Sequence, residues 1–278
     1  MANIPLGKST VYPTAYDPKL LFPVARKEKR DEIGIADPAT FYGADYWTAY
    51  EMSWLNSKGK PEVAIAEFEF DRNTPCIIES KSFKLYLNSF NQEIVSSWTE
   101  FEGILLQDLR KACGSEKVKV NLLTLEEYSS NGIVLPDGIL LDSLDIECDV
   151  YDYSPELLAI SRENKANSEN VVSESVYTHL LKSNCLITSQ PDWATLLIDY
   201  TGIAINHEAL LKYVVSFRGH DEFHEQCVER IFQDIMRFCR PEKLSVYARY
   251  TRRGGLDINP WRSTEVSGSR SFSRLARQ

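Results

Sequence analysis

The chain has 278 residues, 43% of them apolar and 26% charged, and carries a formal charge of −9 from 31 basic and 40 acidic side chains. That composition can bury a real core, and the length falls between one large domain and two ordinary ones. The acidic balance disfavours a polyanion-binding surface, which needs clustered Lys and Arg, so no direct nucleic-acid partner is expected. No stretch approaches the ~20 apolar residues of a membrane span, and Met1 to Lys8 carry no apolar leader segment, so a cytoplasmic protein is expected.

The basic residues are unevenly spread. Arg249, Arg252 and Arg253 cluster, and Arg270, Arg274 and Arg277 follow the last acid, Glu265. Such a patch suits a small phosphorylated ligand better than a duplex, and the last dozen residues read as a solvated tail. The six cysteines (Cys76, Cys113, Cys148, Cys185, Cys227, Cys239) show no C-x-x-C spacing, and only four histidines are present. Neither a disulfide framework nor a metal site is expected; most of these thiols should act as small core hydrophobes.

In chain order, the first 40 residues mix prolines, Pro5, Pro13, Pro18 and Pro23 among them, with charge and read as an extended surface arm. A hairpin follows: Tyr46–Leu55, a turn at Asn56-Ser57-Lys58-Gly59, and Glu62–Phe70, where Ala64, Ala66, Phe68 and Phe70 share one face. Phe83, Tyr86, Leu87 and Phe90 then mark a helix, and a second opens at Thr99, with Glu102 completing a capping box and Gly114 ending it. Strands are expected near Lys117–Leu123 and Gly138–Glu147. A polar linker spans 151–172 and separates an N-terminal half, 1–150, from a C-terminal half, 173–278. In the second half Val176–Lys182 and Trp193–Tyr200 read as strands. Asn206 caps a helix, Asp221 starts another that Arg240-Pro241 stops, and Leu244–Tyr250 returns as a strand.

Both halves therefore read strand, strand, helix, helix, strand, strand. Residues echo as well: Cys113-Gly-Ser-Glu-Lys-Val-Lys-Val against Cys239-Arg-Pro-Glu-Lys-Leu-Ser-Val, Ser89-Phe90 against Ser216-Phe217, and Glu100-Phe101 against Glu222-Phe223. The expected fold class is α+β, a duplicated unit with two helices on one face of an antiparallel sheet.

Four segments could carry chemistry. Cys185 lies in a polar loop between two strands, and Asp192 could return across that loop to donate a proton to whatever the thiolate attacks. Phe223-His224-Glu225 opens a helix. The bland reading is an acid favoured in a first turn; the functional one is a ring to stack on a planar ligand and a carboxylate to accept from adjacent N–H donors. Glu79-Ser80-Lys81-Ser82-Phe83-Lys84-Leu85-Tyr86 is either a charged first turn or a phosphate grip, and Arg252-Arg253-Gly254-Gly255 is either a solvated turn or part of the same grip.

These four segments, in this order, resemble the QueF family, the NADPH-dependent 7-cyano-7-deazaguanine reductases, in its long two-half form. The resemblance implies two tunnelling-fold halves, each with a four-stranded sheet, and a homodimer. It also implies reduction of a nitrile to a primary amine with two NADPH, on the route to the tRNA nucleoside queuosine. By the same resemblance Cys185 forms a thioimide and Asp192 protonates its nitrogen. Glu79, Glu225, Phe223, His224 and the main chain at Ile77 and Ile78 bind the substrate, and Ser80, Lys81, Lys84, Arg253 and Gly254 hold NADPH. No G-x-G-x-x-G follows a strand, so a dinucleotide would have to be held by cationic side chains. A cysteine-dependent nitrile or amide hydrolase, and a non-catalytic purine-binding module, use many of the same residues and remain open on sequence alone.

Overall fold

The computed structural model describes residues 12–37, 40–159, 171–266 and 273–278. They fall into two compact units. The first is drawn within Met1–Pro38, Ala44–Gly132 and Arg252–Ile258, the second within Ala39–Gly43, Ile133–Thr251 and Asn259–Gln278. The sequence-based division at 150/151 follows the linker; compactness divides the chain at Gly132/Ile133 and assigns Arg252–Ile258 to the first unit.

In the first unit a 3-10 turn at Pro18–Leu20 leads into β1 (Pro23–Ala25) and α1 (Arg26–Glu32). Then come β2 (Tyr42–Leu55), β3 (Pro61–Asp71), β4 (Cys76–Ile78), α2 (Ser80–Asn88), α3 (Trp98–Cys113), β5 (Val118–Leu123) and α4 (Leu125–Ser129). β3 pairs antiparallel with β2 and with β5, and β1 pairs with β4. Alternation along β3 turns Ala64, Ala66, Phe68 and Phe70 inward. There they meet Trp47, Met52 and Trp54 of β2, Phe83 and Tyr86 of α2, Phe90 in the turn after it, and Phe101, Leu105 and Leu109 of α3 in one cluster. Each buried aromatic contributes about 1.5–3 kcal/mol. This packing, rather than propensity, holds α2, whose 9 residues are too few for a stable isolated helix.

The second unit contains β6 (Ile139–Leu140), β7 (Val171–Asn184), β8 (Pro191–Ile203), α5 (His207–Ser216), α6 (His224–Phe238), β9 (Lys243–Tyr250) and β10 (Leu256–Ser263), the last shared along its length with the first unit. β7, β8 and β9 pair antiparallel in that order, β6 adds to β7 in parallel, and β10 pairs with β9 from Ser263↔Ser245 to Trp261↔Tyr247. Cys227, Val228, Ile231, Phe232 and Ile235 form the buried stripe of α6. The class is α+β, as expected.

Several local expectations are corrected. The described part of the N-terminal arm is not an extended surface segment. Arg26 of α1 is buried, donating to Asp45 at 2.5 Å and to Thr74 Oγ1 at 3.1 Å, and Arg30 is buried against the Arg72 carbonyl. Those partners are remote in sequence, so charge alone read as surface. The cap of α3 is Ser97, two residues before the expected Thr99, its Oγ accepting from Glu100 N. α4, which was not expected, begins with a complete capping box, Thr124 and Glu127. The strand expected at 138–147 is cut to two residues by a 3-10 turn at Leu141–Ser143. α6 begins at His224, not Asp221, because Asp221 forms a bridge with Asn184 instead. Within the expected linker, Pro155–Leu157 form a 3-10 turn and Val171 already pairs with Ile203; residues 160–170 lie outside the described residues. The final segment is not a free solvated tail: Leu275 and Gln278 are buried.

The expected duplication reappears as geometry inside each unit. The β2–β3 register slips between Ala49 and Met52, and the β7–β8 register between Thr178 and Leu181. Leu55 at the end of β2 bridges to Ile94, and Asn184 at the end of β7 bridges to Asp221. In the first unit Tyr16 and Tyr86 donate to Asp108 Oδ2 at 2.6 and 2.7 Å; in the second Tyr153 and Tyr213 donate to Asp234 Oδ2 at 2.8 and 2.5 Å. Ser89 and Ser216 each donate back to the carbonyl three residues earlier. Tyr16-Asp-Pro-Lys-Leu-Leu21 and Tyr153-Ser-Pro-Glu-Leu-Leu158 are thus the same entry segment, which the arm and linker readings concealed. One echo fails: Phe101, fourth in α3 and buried, corresponds to Cys227, fourth in α6, whereas Phe223 is the N-cap.

Candidate active site

The β7–β8 ladder closes at Asn184↔Pro191, leaving a six-residue loop that Cys185 opens. Cys185 N donates to Gln190 O and Ser189 N to Cys185 O, both at 2.9 Å, and Ser189 takes φ 52° to complete the turn. Cys185 is half-buried, whereas Cys113, Cys227 and Cys239 are buried, and burial pushes each of those thiols up to about 12. Those three are protonated core residues at neutral pH, as expected of small hydrophobes. Asp192 is not in the loop. It is the second residue of β8, paired with Ser183 and 3% exposed.

Asn184 joins the loop to the second motif. Its N–H donates to His220 O at 2.8 Å, and Glu222 N donates to its carbonyl at 3.0 Å, so 220–222 runs beside the last residue of β7. Lys182 Nζ donates to Asn184 Oδ1 and to Arg218 O. Glu222 braces the segment from within, receiving Arg230 in a bidentate pair and lying 3.2 Å from His220 Nε2. Phe223, half-buried, caps α6 without a side-chain bond, and His224 and Glu225 form its first turn. His224 Nε2 is 3.2 Å from Asp192 Oδ2, its ring lies flat on Tyr250 at 3.7 Å, and Glu225 is 5% exposed. The second unit therefore brings Asp192 and His224 into direct contact, with Cys185 and Phe223 following the two ends of the Asn184 bridge. Asn184, Glu222, Lys182 and Tyr250 were not foreseen. Asn184 stands next to Cys185 in sequence, but partners thirty or more residues away leave no local signal.

The first unit holds the remaining candidates. Ile77 and Ile78 are buried in β4 opposite Val24 and Pro23. Glu79 is buried as the N-cap of α2, its two oxygens accepting from Lys81 N at 2.9 Å and Ser82 N at 2.7 Å. A phosphate at this end of α2 would thus meet side chains of Ser80, Lys81 and Lys84, because the Lys81 and Ser82 amides are already engaged.

The Arg252–Gly255 turn belongs to the same unit as α2, not to the other half as its position suggested. Gly254 sits at φ 59°, and a Cβ there would lie 3.3 Å from Lys84 Cδ. Beneath the turn Tyr50 N donates to Gly255 O at 2.8 Å, Tyr50 Oη donates to Asp257 Oδ2 at 2.8 Å, and the Arg252 guanidinium lies 4.8 Å from the Tyr50 ring centroid. Lys84 and the bare Gly254 backbone are thus side by side on a braced turn, with Arg253 adjacent in sequence. Cationic side chains with a cradle that a Cβ would fill suit a phosphorylated dinucleotide. Among the described residues no cluster of three or more His, Cys, Asp and Glu could hold a metal ion, and no helix is long and apolar enough to cross a membrane.

Comparison with known proteins places the chain in a family. Residues 12–122 match the family described as nitrile reductase, 7-cyano-7-deazaguanine-reductase N-term, and residues 191–268 match the family of QueF-like proteins. The chain is 54% identical over 276 residues to the NADPH-dependent 7-cyano-7-deazaguanine reductase of Cupriavidus necator, covering 99% of this chain and 98% of that protein. It is 54% identical over 261 residues to the protein of the same name from Ralstonia nicotianae, covering 93% and 92%. A solved structure of the archaeosine synthase QueF-Like in its apo form is 20% identical with a TM-score of 0.31, covering 36% of this chain and all of that one, too slight a likeness to carry an argument. On the curated relatives and the two family matches, this chain belongs to the QueF family of nitrile reductases.

Proposed function

We propose that the chain reduces the nitrile of 7-cyano-7-deazaguanine to the primary amine with two NADPH, through a covalent thioimide on Cys185. The observation that carries this reading is the meeting of Asp192 and His224 at 3.2 Å, on segments that the Asn184 bridge draws together beside Cys185. A nitrile carbon is a weak electrophile, so addition of a thiolate needs a proton delivered to the nitrogen as the C–S bond forms. Cys185 supplies the sulfur, and Asp192 passes its proton to the nitrile nitrogen, leaving a neutral thioimide. Buried Asp192 is shielded from water, and His224 holds it by hydrogen bond and relays protons. Phe223 stacks on the deazapurine and Glu225 accepts from its N–H edge, and Glu79 and the main chain at Ile77 and Ile78 are further substrate-binding positions. Ser80, Lys81, Lys84, Arg253 and Gly254 hold the cofactor, which when bound supplies one hydride per molecule.

The two repeated units support a tandem pair of tunnelling-fold halves, and the homodimer of that family is the assembly we assign. The test is stoichiometry: purified protein with limiting nitrile should oxidise two NADPH per amine formed, and Cys185→Ala should oxidise none. Amine or acid formed without loss of NADPH would refute the reductase.

A further inference from the structure

His224 is held in an unusual way. A histidine working beside a carboxylate is commonly oriented through its second ring nitrogen. Here Nε2 faces Asp192, while Nδ1 is buried with no hydrogen-bond partner among the described residues. What fixes the plane of the ring is Tyr250, parallel to it within 1° and with centroids 3.7 Å apart. Tyr250 is fully buried, with its phenol against Cys227 and Ser183. Burial, then the Cys227 thiol and Asp192, push its pKa far above the ordinary value, so it offers a neutral aromatic face.

Tyr250 is the last residue of β9, and the β9–β10 ladder stops short of it, at Tyr247↔Trp261. Beyond that pair two side-chain amides stand in for strand partners. Tyr250 N donates to Asn259 Oδ1 at 3.0 Å, and Gln278 Nε2 donates to the carbonyls of Arg249 and Tyr250 at 3.1 and 3.2 Å. Gln278 is only 3% exposed and is itself tied down: Leu275 N donates to its Oε1 at 3.1 Å, and the Arg274 guanidinium donates to its main-chain oxygen. Arg277 adds donors to the carbonyls of His179 and Ala194, the latter opposite Tyr250 in the β8–β9 ladder.

We infer that Gln278 and Tyr250 are positioning residues for the nitrile reduction: the Gln278 amide fixes the end of β9, and the Tyr250 ring holds His224 facing Asp192. This rests on the proposed roles of Asp192 and His224. Neither Gln278 nor Tyr250 touches the reacting atoms; both act through the orientation of one imidazole. Misplacement of a catalytic group by about 1 Å can cost up to a hundredfold in rate.

The test compares Gln278→Met, which keeps length and loses the amide donor, with Tyr250→Leu, Tyr250→Phe and His224→Ala. Two readouts are taken, steady-state kinetics and the imidazole proton resonances, which four histidines make assignable. Stacking on Tyr250 shifts the His224 ring protons upfield. Gln278→Met and Tyr250→Leu should lose that shift and lower kcat about tenfold, with KM for NADPH unchanged and the resonances of His179, His207 and His220 in place. Tyr250→Phe, which keeps the ring, should restore both readouts relative to Tyr250→Leu. The inference is overturned if Gln278→Met retains the upfield shift and the wild-type kcat, or if Tyr250→Phe behaves as Tyr250→Leu. Should Gln278→Met fail to fold, the two Tyr250 variants still decide. Wild-type turnover by His224→Ala would refute the role of His224 itself, a failure the spectra separate from that of the stacking.

Discussion

Asp192 Oδ2 and His224 Nε2 lie 3.2 Å apart, one on the second residue of β8 and the other on the first residue of α6. The acid is therefore placed by the β7–β8 hairpin and its partner by the Asn184 bridge. Asp192→Asn keeps the size and hydrogen-bonding reach of the side chain and removes its dissociable proton. Turnover should fall by about 10²–10⁴, the usual contribution of a positioned acid, with nitrile affinity in equilibrium dialysis nearly unchanged. A rate within threefold of wild type would remove Asp192 from the chemistry.

Gly254 at φ 59° tests the cofactor turn. Alanine there pays the left-handed penalty of about 1–2 kcal/mol and brings a methyl within 3.3 Å of Lys84 Cδ, so the turn and the lysine must part. KM for NADPH should rise severalfold in Gly254→Ala and at least as much in Lys81→Ala and Arg253→Ala, while the Kd for the nitrile stays put. An effect confined to nitrile binding would contradict the cofactor assignment.

Asp234 carries a pH signature. Burial raises its carboxyl above 3.8, against the hydrogen bonds from Tyr213 and Tyr153 and the charge of Arg230 that pull it down. A raised folded value means the folded state holds the proton more tightly than the unfolded chain. The corresponding stability is present below about pH 4 and is lost as pH rises through the folded value. Measured as Tm relative to Asp234→Asn, the wild type should lose stability across that acid window and run parallel above it. A wild type that instead gains stability over Asp234→Asn as pH rises would mean that the tyrosines and Arg230, not burial, dominate the site.

Much of this was legible in the sequence because the signals were local. Alternation along β3, the spacing of Phe83, Tyr86 and Phe90, Gly114 at the end of α3 and Asn206 at the start of α5 each reflect forces acting over a few residues. What escaped depended on distant partners. Arg26 is buried only because Asp45 and Thr74 meet it, and Asp221 stays out of α6 only because Asn184 pairs with it. The candidates Cys185, Asp192, His224 and Lys84 stand in motifs that the sequence shows by type and order, and their proposed roles come from the family resemblance. Their supports, Tyr250, Glu222 and Gln278, are ordinary residues whose importance lies in contacts that no spacing encodes.

Covalent catalysis here turns on the sulfur of Cys185, and intact-mass measurement reads it directly. Mixed with 7-cyano-7-deazaguanine without NADPH, the protein should gain the full mass of one nitrile per chain, with nothing lost, and the gain should vanish in Cys185→Ala and on adding NADPH. An adduct that survives in Cys185→Ala, or its absence in a wild-type protein that still turns over, would contradict covalent catalysis at this cysteine.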